Sequence, residues 1–347
     1  MIIRPRVQPV SVNARVPIGI RGQIHVAKLG RNGQRVPVRV DRNKRAWQRV
    51  WDHVQGNLIT DGGLNYGLSG TTQPTSFSME LRFAQLTNWI HVGTGNAAPT
   101  TSDSALGTES ARTNETMSLG TDGEVTLPST GVGQFRRVRV FDYDEANGNL
   151  AEFGGGSDDS TTVLTRALFE DESEVPTPIT KTSDELLIIT YDLLSTVSPT
   201  SMTSDGTLLI DGYSTFDISS MAHEGAAGLT EQEFNHLGLW NSALRISPVT
   251  AVTTTYASNG GTKALGVPNQ GLIGTEAYAS GSFERIVTVD YGPQASGVTL
   301  AGYELTGAYA ALGQRPLFTF RFDSPSGLVK DKDYRVTLSA KIAVARS

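Results

Sequence analysis

The sequence predicts an all-β chain, built mainly of antiparallel β-sandwich modules with one or two short helices. Three observations predict it. Short apolar, β-branched runs recur along the chain, each bounded by clusters of Gly, Ser, Thr, Asn and Asp. Glycine reaches 37 of 347 residues, a level that marks turns and strands rather than long helices. Helical patterns of roughly 10–15 residues alternating with strands, which a parallel sheet would need, are absent from the sequence.

The stretch the chain is organised around is residues 178–194. Its first half is a polar turn carrying Lys181, Asp184 and Glu185, charges that belong in water. Its second half is apolar. Leu186, Ile188 and Thr190 share one face of a strand there, and Leu187, Ile189 and Tyr191 the other. Both faces are largely apolar, so a central strand covered on both sides is expected. The same grammar returns at the C-terminus, where Lys330, Asp331, Lys332 and Asp333 lead into a strand over 334–344. There Val336, Leu338, Ala340, Ile342 and Val344 alternate with Arg335, Thr337, Ser339 and Lys341, a half-buried antiparallel pattern.

In chain order, residues 15–20 and 23–27 read as strands, 30–33 as a turn, and 35–40 as a strand that Pro37 assigns to an edge. Residues 41–55 are the best helix candidate. Trp47, Val50, Trp51 and Val54 recur at i, i+3, i+4 and i+7, Asp41 or Asn43 can cap the start, and Gly56 ends it. Two tryptophans on so short a stripe point to core or interface. Strands are expected over 88–92, 136–141, 163–169, 208–218, 283–291 and 316–323. A second short helix is expected over 229–241, with Thr230 and Glu233 as a capping box. Residues 195–204 are the most linker-like. The organisation read from this is a basic N-terminal docking segment (1–56), a first β-sandwich module (57–197) and a second β module (198–347).

Bulk composition narrows the chemistry. A chain without cysteine has no disulfide, no thiolate metal site and no cysteine nucleophile. No apolar run approaches the roughly 20 residues of a membrane span. The start, Met1 to Arg6, lacks the apolar core of a signal peptide. Synthesis in a cytoplasm and a soluble product are therefore expected. The net charge of −6 hides an asymmetry: residues 1–50 hold twelve Lys or Arg and one acid, a balance of +11, and the rest carries −17. A basic head on an acidic body suggests that the two ends meet different partners. Nucleic acid is the least favoured of these, because no aromatic residue interleaves the basic ones before Trp47.

No constellation specific to catalysis emerges. Gly93, Gly95 and Ala98 follow a strand like a dinucleotide fingerprint, yet Pro99 and the Thr-Thr-Ser after it prevent the helix that motif requires. The histidines are His25, His53, His91, His223 and His236, and none are spaced as ligands on one turn. Residues 154–159 form a Gly-Asp loop without EF-hand spacing, better read as an unliganded loop than as a Ca²⁺ site. Catalytic, cofactor-binding and metal residues are all read as none, and no cofactor is expected.

The order of several short motifs carries more. Residues 57–64, Asn-Leu-Ile-Thr-Asp-Gly-Gly-Leu, come first. Val92-Gly93-Thr94-Gly95 follow, with Pro99, Asp103 and Leu106-Gly107-Thr108-Glu109. Then come Asn149-Leu150-Ala151-Glu152-Phe153-Gly154 and Leu164-Thr165-Arg166-Ala167-Leu168. Pro178-Ile179-Thr180-Lys181, Asp184-Glu185-Leu186 and Thr190-Tyr191-Asp192-Leu193 close the series, with Phe320-Arg321-Phe322-Asp323 and the final strand beyond. This series resembles the tail-fibre and related tail structural proteins of tailed bacteriophages, over about residues 57–194 and the last 30. Residues 172–178 depart from that pattern, and 1–50 and 200–285 match it only loosely. The resemblance implies a structural component of a phage tail, not an enzyme. It would join tail and fibre or form a short fibre or appendage, located in the virion. Other virion tail proteins and copies of itself are the implied partners, and a host surface glycan or receptor is a further one. A glycan-binding or depolymerising tail protein, and a capsid-decorating or neck protein, are the alternatives.

Overall fold

The computed structural model describes residues 8–41, 48–50, 53–70, 72–73, 78–116, 122–129, 132–171, 173–197, 207–208, 216–221, 243–251, 262–263, 272–275, 278–291, 298–300, 302–308, 315–323, 328–330 and 334–347. The fold is all-β and mostly antiparallel, with one α-helix among the described residues.

Its spine is β1 (Gln8–Gly30), a strand of 23 residues and so roughly 75 Å long. The expected strands at 15–20 and 23–27 are two parts of this one element. β2 (His53–Ile59) leads into α1 (Asp61–Leu68). There follow β3 (Trp89–Gly93), β4 (Glu109–Thr113), β5 (Val132–Phe141), β6 (Glu152–Gly156) and β7 (Thr165–Leu168). β8 (Glu185–Val197), β9 (Glu284–Tyr291) and β10 (Tyr334–Arg346) are further strands of the main sheet, which also takes Arg35–Val36 beside β1 and Leu272–Thr275 beside β9. Its order is Val125–Ser129, β5, β8, β1, β2, β7, β6, β3, β4, and β10 and β9 branch from β1.

β8 sits between β5 and β1, the central place expected of it. Leu187, Ile189, Tyr191 and Leu193 on one face are almost completely buried, against Ile18, Ile20, Ile24 and Val26 of β1 on the same side of the sheet. On the opposite face Ile188 joins Val138 and Val140, with Ala27, Leu29 and Leu186 packed beside them. The turn before β8 departs from expectation. Lys181 is only 1% exposed. Its ammonium donates to the Tyr143 carbonyl (3.2 Å) and to Asn147 Oδ1 (3.0 Å). Glu185 accepts from Lys28 Nζ (3.2 Å) and from the Thr182 amide (2.9 Å). Lys181 and Glu185 tie hairpins together instead of facing water, while Asp184 is exposed as expected.

β10 pairs with β9 antiparallel, as its alternation suggested, but with β1 in parallel, Gln8 opposite Tyr334 through Ile20 opposite Arg346. Ile342 and Val344 are buried as expected. The divisions expected at 56/57 and 197/198 are both crossed by strand pairing. β1 lies inside the sheet, and strands from 272–346 join it. The second, 8-stranded sheet, mostly from residues 207–323, takes Thr72–Gln73 and Ser78–Glu80 from earlier in the chain.

The helix expected over 41–55 is a correction. Residues Gln48–Val50 and β2 are strands instead. Val54 faces out at 45% exposure while Gln55 is buried. The Gln55 amide donates to the Leu168 carbonyl and accepts from the Glu170 N–H. Pairing with β1 and β7 thus satisfies polar groups that a solvent-facing helix would not engage. The expected helix at 229–241 lies outside the described residues. The helix that does form, α1, is eight residues long and begins where Thr60 Oγ1 accepts from the Gly63 N–H (3.0 Å), an N-cap.

Candidate functional site

The densest polar constellation among the described residues is built from the motifs that carry the sequence resemblance. Glu152 opens β6 and is fully buried. Its Oε1 accepts from the Gly95 N–H (2.9 Å) and the Thr108 N–H (2.9 Å), and its Oε2 from the Gly107 N–H (3.0 Å). Arg166 of β7 adds Nε (3.0 Å) and Nη2 (2.7 Å) to Oε2. The same guanidinium donates from Nη1 to Asp103 Oδ2 (2.6 Å) and from Nη2 to the Ala97 carbonyl (3.0 Å). Asp103 is held in turn by the Thr100 hydroxyl (2.6 Å) and amide (2.9 Å).

The glycines around it are spatial requirements. A Cβ on Gly95 would lie 2.2 Å from Glu152 Oε1, and one on Gly93 would lie 2.3 Å from the Thr108 carbonyl oxygen. The Val92–Gly95 loop therefore wraps a carboxylate of its own chain, the role a phosphate plays in the dinucleotide motif it superficially matches. Burial alone would raise the Glu152 pKa. The Thr108 and Gly107 amides and Arg166 outweigh that and hold it below the ordinary value. Burial would likewise raise Asp103, and hydrogen bonds from Thr100 and Arg166 bring it down. Both carboxylates stay ionised, and Arg166 is raised by them against the opposing effect of its burial. A carboxylate with five donors and a guanidinium with two carboxylate partners have little capacity left for a substrate.

Two further constellations stand apart from this clip. Asp192 of β8 is 1% exposed. It takes a bidentate pair from Arg136 (2.7 and 2.8 Å), and His25 Nε2 lies 3.0 Å from its Oδ2. His91 of β3 is wholly buried, its Nδ1 3.4 Å from Glu109 Oε2, and neither ring nitrogen has a well-formed hydrogen bond among the described residues. Burial lowers the His91 pKa, more strongly than the nearby Glu109 raises it.

The side chain of His53 and all of His223 and His236 lie outside the described residues. Of the Gly-Asp loop at 154–159, the glycines are buried in β6 and Asp158 accepts from the Ser160 N–H (3.0 Å). The Asp159 carbonyl accepts from Arg112 Nη1 (3.0 Å). Among the described residues no group of three or more His, Asp or Glu is placed to hold a metal. No helix of the described residues is long and apolar enough to cross a membrane. The basic excess near the N-terminus is partly consumed internally, by the Lys28–Glu185 pair and by Arg31 with Asp184 (3.0 Å). No family model, curated protein or solved structure matches this chain.

These groups set the pH response. Burial alone would raise the Asp192 pKa, but the hydrogen bonds from Arg136, His25 and Gln134 hold it at about 2, against 3.8 for the free side chain. Its folded value is depressed, so its stabilisation of about 2 kcal/mol is present above pH 4 and disappears as the pH falls towards 2. Glu152 and Asp103 act in the same direction. His91 does too, because a buried imidazole that resists protonation loses stability below its free value of 6.5. Unfolding free energy from denaturant titrations should therefore fall steadily from pH 7 to pH 2.5. Asp192→Asn should flatten the steepest, most acidic part. A stability that rises on acidification would contradict this.

Proposed function

We propose that this chain is a non-enzymatic structural component of a bacteriophage tail, one that joins tail and fibre or forms a short appendage. One observation carries the reading. Of the residues through which the sequence resembles tail proteins, over about 57–194 and the last 30, several that lie far apart between 93 and 185 converge on contacts that hold the fold. Glu152, Arg166, Asp103 and the Gly93–Gly95 loop form one clip, and Lys181 and Glu185 lock the hairpins beside β8. A molecule whose most specific motifs are spent on rigidity has its function in its surfaces. The partners are then neighbouring tail proteins and further copies of the chain, and the location is the virion.

Purified phage particles from the source of this sequence test it. Peptides of the chain should appear in the particle proteome, and an antibody against it should label tails in electron micrographs. Particles lacking the protein, or label confined to heads, would overturn the assignment. Incubation with host surface polysaccharide should leave the polymer length unchanged, and a shortened polymer would overturn the non-enzymatic reading.

A further inference from the structure

Lys28 and Lys181 are both buried, and the structure satisfies them differently. Lys28 has the Glu185 carboxylate 3.2 Å from its Nζ. Lys181, at 1% exposure, has no ion pair to a carboxylate among the described residues. Its Nζ has two acceptors there, the Tyr143 carbonyl at 3.2 Å and the Asn147 carboxamide Oδ1 at 3.0 Å. An ammonium carries three donors, and a buried charge without a counter-ion is costly. Burial pushes Lys181 below the ordinary lysine range, further than Glu185, Glu145, Asp142 and Asp144 draw it up. A lysine so placed is more often the free amine, which is the nucleophilic form.

The group facing it is held in place. Asn147 Nδ2 donates to the Tyr143 carbonyl (3.0 Å), the same oxygen that receives Lys181 Nζ. The two side chains thus converge on one backbone oxygen. Pairing of Gly148–Leu150 with Ile179–Lys181 sets Gly148 directly opposite Lys181, one residue from Asn147. The turn is fixed on either side of Asn147 by Ala146 at φ 54° and Gly148 at φ 127°. Nζ already touches the carboxamide oxygen at 3.0 Å. Rotation of the carboxamide about χ2 brings Cγ to about 3–3.5 Å from Nζ, the separation of a near-attack pair. Joining the two replaces a buried charge with a neutral amide.

We infer that Lys181 and Asn147 are the two halves of an intramolecular isopeptide bond, formed by the folded chain without any other reagent. The free amine of Lys181 attacks Asn147 Cγ. The Nζ–Cγ bond forms, the Cγ–Nδ2 bond breaks, and Nδ2 departs. Nζ gives up two protons in passing from ammonium to amide, and both leave with Nδ2. The products are one neutral amide and one ammonium ion, so atoms and charge balance. Asp142, Asp144 and Glu145 of the same turn are the carboxylates that relay these protons. The bond ties the turn after β5 to the strand that leads into β8, closing a covalent ring from 147 to 181. It goes beyond the tail assignment and does not depend on it.

Mass spectrometry of the purified full chain tests this. The intact mass should fall short of the sequence by one ammonia. Trypsin does not cut after an acylated lysine, so residues 140–166 should be recovered joined to 167–245 as one branched peptide. Lys181→Arg and Asn147→Ala should each show the full mass of their own sequence and unbranched peptides. Succinimide closure at Asn147–Gly148 also releases ammonia, but it leaves the chain linear and cleavable after Lys181. A wild type of full mass with separate 140–166 and 167–181 peptides, or one that lacks ammonia without a branched peptide, would each overturn the inference. The wild-type digest decides the matter even where a variant fails to fold. Either result leaves the virion assignment to its own test.

Discussion

Glu152→Ala is expected to destabilise the folded chain by about 3–5 kcal/mol, the usual consequence of removing one partner of a buried ion pair. The substitution strips Arg166, itself 4% exposed, of its buried carboxylate. It also leaves the amides of Gly95, Gly107 and Thr108 without the acceptor they share. Gly95 is half-buried while Gly107 and Thr108 are exposed, so most of the penalty falls on the buried guanidinium. A loss of this size is a large fraction of the stability of an ordinary domain, so a steep drop in Tm or failure to accumulate as soluble protein is the expected result. Glu152→Gln keeps the shape and part of the acceptor capacity and should be milder. Replacing Glu152 and Arg166 together with apolar residues should cost less than the sum of the two single changes, because the pair is coupled. Thermal melts of the three variants check this, and an alanine variant within 1 kcal/mol of wild type would show the clip to be dispensable.

The second large effect concerns two adjacent glycines with opposite expected behaviour. A Cβ on Gly63 would stand 2.1 Å from the Leu164 carbonyl oxygen, a backbone atom that cannot swing aside. The same carbonyl accepts from the Thr60 N–H (3.0 Å) and hydroxyl (3.1 Å), so α1 and β7 meet there without slack. Gly63→Ala should therefore push the helix off the sheet and destabilise by about 3 kcal/mol. Gly62 is exposed, and its Cβ would meet nothing closer than Thr60 Oγ1 at 3.4 Å. Gly62→Ala should be neutral or stabilise by up to about 1 kcal/mol, since alanine restricts the unfolded chain and favours the helix. Denaturant titration of the two variants compares them directly, and equal effects would contradict the packing described for α1.

Most strands were legible because their apolar alternation is strong. β8, β9 and β10 stand where the periodicity of 186–194, 283–291 and 334–344 places them. The helix was misplaced for a physical reason. Trp47, Val50, Trp51 and Val54 fit a helical stripe, but β2 turns Val54 out and satisfies Gln55 inside, a tertiary gain that local periodicity cannot register. Conversely, α1 has poor propensity, with three glycines in eight residues. Its legible signal was Thr60 followed by Asp61, a cap and an acid in the first turn. The clip was visible only as disconnected motifs. Glu152 and Arg166 look like ordinary surface charges in sequence, and nothing local indicates that residues 95, 107 and 108 turn their amides towards one carboxylate. The parallel pairing of β1 with β10 joins the two ends of the chain, and its antiparallel-looking alternation held no sign of it.

The claim on which the rest depends is that the motif residues serve rigidity. Amide hydrogen exchange of the intact chain tests it at the Gly95, Gly107 and Thr108 amides. Their exchange should require the same global opening as the centre of β8, and Glu152→Ala should accelerate all three together. Exchange of these amides by local opening, far faster than that of Ile189 or Tyr191, would mean that the carboxylate is free to meet something else and would contradict the account.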